Sequence, residues 1–178
     1  MLITEDIINR INLKINELLR QKEQIIIAIE GPAGSGKTNL SARLKGFVFH
    51  MDDFFNPSRT EEIGSNINME YILNNIFIPL SNKESSFNYQ TYNCKTKEYT
   101  KNTYCKNNII IIEGVYSYLP CFQKYYDLLI YCDIDKIDQE NRLKERPNYI
   151  DFINIWLPKE EKYFKEINPK AKANLIIK

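Results

Sequence analysis

Residues 25–38 read "IIIAIEGPAGSGKT". An apolar run that can be buried on both faces stops at Glu30, and a glycine-rich turn follows at once. Gly31 to Thr38 matches G-x-x-x-x-G-K-[ST] in full, between a strand-like run and a helix-like one. Glycine lets the backbone turn so that successive N–H groups point inward, and the next helix adds the positive end of its dipole. The stretch is therefore expected to cradle phosphates through Gly31, Pro32, Ala33, Gly34, Ser35, Gly36, Lys37, Thr38 and Asn39. Lys37 is expected to reach the outer phosphates, and the Thr38 hydroxyl to ligate Mg²⁺. The cradle alone does not separate a kinase from a GTPase, an ATPase or a regulatory binder.

Composition narrows the classes. The chain has 178 residues, 43% apolar and 26% charged, with a net charge of +1. These values suit one soluble domain spanning 1–178, with no basic field to argue for nucleic acid. The runs "IIIAI" and "IIII" are too short to cross a bilayer, and "MLITEDIINR" lacks a basic-then-apolar leader pattern, so a cytoplasmic location is expected. Cys94, Cys105, Cys121 and Cys132 show no CxxC spacing, and His50 is the one histidine. Reduced thiols are expected rather than a zinc site or a disulfide framework. Assembly as a homo-oligomer stays open.

Outward from the loop, strands alternate with helices. An amphipathic helix over 5–22 precedes the first strand, with Ile7, Ile8, Ile11, Ile15, Leu18 and Leu19 at helical spacing. "GFVFHMDDFF" predicts a strand ending in an acidic turn, and 56–67 a loop. "NMEYILNNIFIPL" predicts a helix stopped at Pro79. Residues 86–104 alternate aromatic or Thr with polar residues around the break "CKTKE", which predicts a hairpin arm off the main sheet. "NNIIIIEG" and "YDLLIYCDID" read as buried strands, "KIDQENRLKER" as a charged helix, and "ANLIIK" as a final strand. Residues 149–167 have helical periodicity interrupted by Pro158, predicting a kinked helix or two helices. The pattern is α/β, a mainly parallel sheet covered on both faces.

Further stretches bear on chemistry. N-K-x-D, which reads guanine in GTPases, is approached at Asn82-Lys83-Glu84-Ser85 but lacks the final acid, and no D-x-x-G follows an apolar strand. In "HMDDFF", one of Asp52 and Asp53 could accept the proton of an attacking hydroxyl, although an acidic turn has other uses. Glu113 ends a buried strand, where open α/β sheets bind ligands, and could hold Mg²⁺; buried there, it needs a cationic partner. Arg142 and Arg146 lie one helical turn apart and could clamp a phosphoryl group. Spacing alone favours a salt-bridged surface helix with Glu140 and Glu145.

Together, "GPAGSGKT", "MDDFF", "YQTYN", "IIEGVYSY", "DIDKIDQENRLKER" and "NLII" occur in an order that resembles the uridine kinase and phosphoribulokinase-like family of P-loop kinases. The resemblance runs from about Gln24 to the end of the chain. It implies a three-layer P-loop kinase fold, with a five-stranded sheet, a substrate hairpin and a lid over about 142–158. The implied activity is ATP-dependent phosphorylation of a hydroxyl on a small metabolite, with GTP as the other candidate donor. By resemblance Asp52 is the base, Lys37 and Thr38 serve phosphate and Mg²⁺, Glu113 is the strand-end acid, and Arg142 and Arg146 belong to the lid. Substrate contacts are expected from Asp53, Phe54, Arg59 and Tyr92.

The chain departs from the family pattern at Asn93 and Asn68, where relatives carry Asp. It also has no histidine after Tyr92 and passes to "PNYIDF" after Arg146 without an R-G-R continuation. All four departures fall on acceptor recognition. A nucleoside is the default acceptor. A nicotinamide riboside or pantothenate kinase-like enzyme, a kinase for another sugar alcohol, and a non-catalytic ATP-binding module are the alternatives.

Overall fold

The computed structural model describes residues 3–58 and 62–178. Its centre is β1 (Ile25–Glu30), buried along its whole length. On either side lie β5 (Ile109–Glu113) and β6 (Leu128–Cys132); β2 (Phe47–His50) and β7 (Leu175–Ile177) form the edges, giving the order β2-β5-β1-β6-β7. Every pairing is parallel. The sheet expected to be mainly parallel is therefore wholly so, because each return to it passes through helix or through the hairpin.

Strand alternation divides the core into two layers. Ile25, Ile27, Ile29 and Ile111 face Ile8, Ile11 and Ile15 of α1 (Glu5–Leu19) and Leu40 of α2 (Lys37–Arg43). On the opposite face, Ile26, Ile110 and Ile112 meet Ile72, Ile76, Phe77, Leu80 and Tyr163. Removing such side chains from water, at about 25 cal/mol per Å² of apolar surface, is what holds helices to both sides. The Thr4 hydroxyl caps α1 by accepting from Ile7 N–H.

Two prolines sit where sequence rules place helix breaks; the outcome differs at Pro79, while at Pro158 two helical segments meet as expected. The helix does not stop at Pro79: α3 (Met69–Ile72) runs through a π turn at Leu73–Phe77 into α4 (Ile78–Ser81). The second run repeats the device, as α6 (Tyr149–Asp151) leads through a π turn at Phe152–Trp156 into α7 (Leu157–Ile167). In both, the π turn ends two residues before proline, in the matching strings "NIFIP" and "NIWLP". Proline then stands at the second position of a new α segment, where its missing N–H is not needed.

The hairpin, β3 (Ser86–Asn93) and β4 (Glu98–Cys105), forms a separate antiparallel sheet. Its base is anchored by the fully buried Tyr104, which packs on Phe47 and Phe87 and whose hydroxyl accepts from Gln24 and from Asn107 N–H. Higher up, Tyr89 packs on Phe49 and Phe54, tying the arm to the turn after β2. α5 (Lys136–Lys144) follows β6, and α8 (Pro169–Lys172) leads into β7. No described helix is long and apolar enough to cross a membrane. All four cysteines are free.

Candidate functional site

Strand register brings the expected residues together. Glu113 is paired in register with Ile29 of β1 and His50 of β2, so the carboxyl ends of three adjacent strands meet. Gly31 leaves β1 at that edge, and the 3₁₀ turn Met51–Phe54 leaves β2 beside it.

Backbone conformation shapes the loop. Gly31, Gly34 and Gly36 have φ of 147°, 79° and 95°, values that side chains oppose. A Cβ on Gly31 would also collide with the carbonyl oxygen of Cys132. Lys37 is buried at 8% exposure and donates to Gly31 O (2.7 Å) and Pro32 O (3.0 Å). The Ser35 hydroxyl is buried with no hydrogen-bond partner. An orphaned donor in a ring of glycines beside a buried ammonium is the chemistry a phosphate satisfies.

Glu113, 4% exposed, is held on one oxygen: Oε1 accepts the Thr38 hydroxyl at 2.9 Å and lies 2.6 Å from His50 Nδ1. The partner expected for this buried acid is thus His50, whose pKa is raised, chiefly by that bond and against desolvation, so that its protonated form is favoured. The sequence singled out His50 only as the one histidine. Asp52 opens onto the cleft but sits deep enough within it that desolvation raises its carboxyl, against the pull of the Lys37 ammonium. For Mg²⁺ the protein offers Thr38 and Glu113. Among the described residues no group of three His, Cys, Asp or Glu side chains could hold a metal unaided. That donor set fits a cation which takes its remaining oxygens from phosphate and water.

The helix after β6, α5, grips the loop. Arg142 donates to Gly34 O at 2.9 Å, and Gln139, one helical turn earlier on α5, donates to Ala33 O at 3.0 Å. Arg146 lies over the Phe152 ring at 5.0 Å and also lines the cleft. Neither arginine forms the surface pair with Glu140 that spacing favours; Glu140 pairs with Lys144 instead. Two acids that carried no motif complete the loop's surroundings. Glu160 of α7 accepts from Ala33 N–H at 2.9 Å, and Glu30 accepts from Gly31 N–H, Tyr118 N–H, the Ser117 hydroxyl and the Tyr163 hydroxyl. Only a buried acid directly before the first glycine, in "IEGP", hinted at Glu30.

A cleft of about 1090 Å³ opens over the loop, bounded by Lys37, Asp52, Glu113, Arg142, Arg146 and Glu160 among others. Tyr92 lines it and stacks on Phe55, their ring centres 6.0 Å apart, and Trp156 meets Phe55 edge-on at 6.1 Å. Asp53 and Phe54 do not reach this cleft. They line a smaller pocket of about 170 Å³ beneath the hairpin, where Phe54 is 3% exposed and serves the core. The two departures from acid have local tasks: Asn68 caps α3 by accepting from Tyr71 N–H, and Asn93 accepts from Lys95 and Thr96 N–H in the hairpin turn. Arg59 lies outside the described residues.

A parallel sheet whose first strand runs through a glycine loop into a helix, with an acid at the neighbouring strand end, has the P-loop kinase fold. Solved structures share that fold. A possible uridine kinase from Bacillus stearothermophilus superposes with a TM-score of 0.74 at 22% identity, over 97% of this chain and 100% of the other. A candidate fructose transport system kinase from a Silicibacter species superposes at 0.63 and 17% identity, over 93% and 98%. No family profile matches the chain, and no curated protein does.

Proposed function

We propose that the protein transfers the terminal phosphoryl group of ATP to a hydroxyl of a small metabolite, with a nucleoside as the foremost acceptor class. The observation that carries this reading is the position of Asp52, on the wall of the same cleft as Lys37 and the phosphate loop. A nucleotide-binding module has no use for a carboxylate there. The neighbouring kinase structures support the donor half of the reaction, and the aromatic wall of Phe55, Tyr92 and Trp156 suits a ring-bearing acceptor.

In this reaction the acceptor oxygen forms a bond to the γ-phosphorus while the bond from that phosphorus to the β–γ bridging oxygen breaks, so ADP leaves. The hydroxyl proton passes to Asp52, whose pKa is raised toward the range useful for a base. Lys37, Arg142 and Arg146 spread the charge of the transferring group. Thr38 and Glu113 would hold Mg²⁺, which when bound would neutralise phosphate charge.

The test is ADP release from MgATP across a panel of nucleosides, hydroxylated vitamins and sugar alcohols. Acceptor-dependent turnover by the wild type, lost in Asp52→Asn, supports the reading. Tight MgADP binding with no acceptor accelerating turnover would leave nucleotide capture alone.

A further inference from the structure

Between Gly31 and Gly36 the loop's amides divide into two sets. Gly31 and Ala33 donate outward to the carboxylates of Glu30 and Glu160, and Ser35 N–H turns back to Pro32 O. Among the described residues the amides of Gly34 and Gly36 have no protein acceptor. The outward set therefore holds the curve that leaves the other amides for an anion.

Both outward ties lead to one element. Glu160 and Tyr163 stand three residues apart, on one face of α7. The first holds Ala33 N–H directly; the second donates to Glu30 at 2.7 Å, and Glu30 holds Gly31 N–H. Glu160 is 6% exposed, Glu30 and Tyr163 fully buried, so water does not compete for these bonds. Gln139 and Arg142 take the carbonyls of Ala33 and Gly34 from α5. Ala33 is thus held at its N–H by α7 and at its carbonyl by α5.

We propose that Glu160 is a positioning residue of the phosphate loop, clasping the loop to α7 so that it keeps its anion-binding curve only while α7 is docked against it. This rests on the nucleotide-binding half of the proposed function. Glu160 touches no reacting atom and acts through Ala33. Its helix begins directly after the π turn at Phe152–Trp156, so the clasp lies at the root of the cleft-facing segment that carries Arg146, Phe152 and Trp156.

Glu160→Ala removes the acceptor, and Glu160→Gln keeps an acceptor oxygen without the charge. Glu161→Ala, whose side chain is exposed and paired with Lys136, is the neighbouring control. Amide hydrogen exchange of the nucleotide-free protein is compared first. Exchange at Ala33, whose N–H the Glu160 carboxylate holds, rises at least tenfold in Glu160→Ala and stays near wild type in Glu160→Gln and Glu161→Ala. MgADP affinity by calorimetry then falls at least tenfold in Glu160→Ala and less than threefold in Glu160→Gln. Unchanged exchange at Ala33 in Glu160→Ala, or MgADP affinity within twofold of wild type, overturns the proposal. Should Glu160→Ala not fold, Tyr163→Phe, which cuts the second tie alone, takes its place: exchange at Gly31 then rises, and an unchanged rate there overturns the clasp. A wild type that binds no MgADP would sink the nucleotide reading, while the exchange comparison still decides the clasp.

Discussion

Thr38 and His50 converge on a single oxygen of Glu113, the hydroxyl at 2.9 Å and the imidazole Nδ1 at 2.6 Å. One comes from the helix after the loop, the other from the last residue of β2, so the acid is oriented by two strand-end elements at once. Outer partners of this kind tune how well an acid serves a metal ion. Glu113→Gln is expected to raise the Mg²⁺ concentration for half-maximal activity about tenfold or more, the usual scale of such effects. Metal-free nucleotide affinity should move less than threefold. A magnesium titration of turnover beside calorimetry in EDTA reads both, and equal losses in the two would argue against a metal role.

In the proposed reaction Asp52 serves transfer rather than nucleotide binding. Its side chain faces the cleft and makes no hydrogen bond that holds the loop. Asp52→Asn should lower kcat by roughly 10²–10⁴-fold, the span of general-base contributions. MgADP affinity should remain within about threefold.

Gly31 and Gly34 differ in what a methyl group would meet. At Gly31 it strikes the Cys132 carbonyl; at Gly34 its nearest neighbour is the Arg142 Cβ at 3.7 Å, an ordinary contact. Both have positive φ, so both substitutions carry backbone strain of roughly 1–2 kcal/mol. Gly31→Ala adds a clash with the backbone of β6 and should lose about 3 kcal/mol or more of stability. Gly34→Ala should lose only the strain. Urea denaturation of the two variants distinguishes them.

Glu30 sets a pH dependence of stability. Burial pushes its carboxyl from 4.5 up to about 7, against the Gly31 N–H, the Lys37 ammonium and the Tyr163 hydroxyl. Between those two values the folded chain holds a proton that the unfolded chain has released, so stability falls as pH rises. The contribution is complete below about 4.5 and gone above about 7. It amounts to roughly 3 kcal/mol. Asp52, Asp53 and Glu160 are raised too and tilt the curve the same way. Denaturation of the nucleotide-free protein at pH 5 and pH 8 should show the wild type losing stability and Glu30→Gln losing distinctly less. Equal slopes would remove Glu30 as a source.

The hairpin and the helix breaks show where local rules reach and where they stop. Alternation over 86–104 and the polar break made the arm legible, since a two-residue period is a local property. Pro79 misled, because a proline rule assumes the i→i+4 ladder. The π turn at Leu73–Phe77 changes that ladder first, and Phe77, stacked on Phe122 and Tyr125, is held in place by partners distant in sequence. Asp53 and Phe54 stand next to Asp52 in the chain, yet a 3₁₀ turn directs them away from the large cleft, a choice that adjacency cannot encode.

Sequence by itself determined the loop, the strand that feeds it and the α/β class, because glycine freedom, a run of β-branched residues and the Lys-Thr pair act over a dozen neighbouring positions. Tertiary structure alone decided which acids serve the loop. Glu160 is 127 residues from Ala33, and Tyr163 is 133 from Glu30. Their bonds exist only because packing on one face of the sheet lays α7 against the end of β1, and a hydrogen bond in a dry interior depends on that placement, not on any neighbour in the chain.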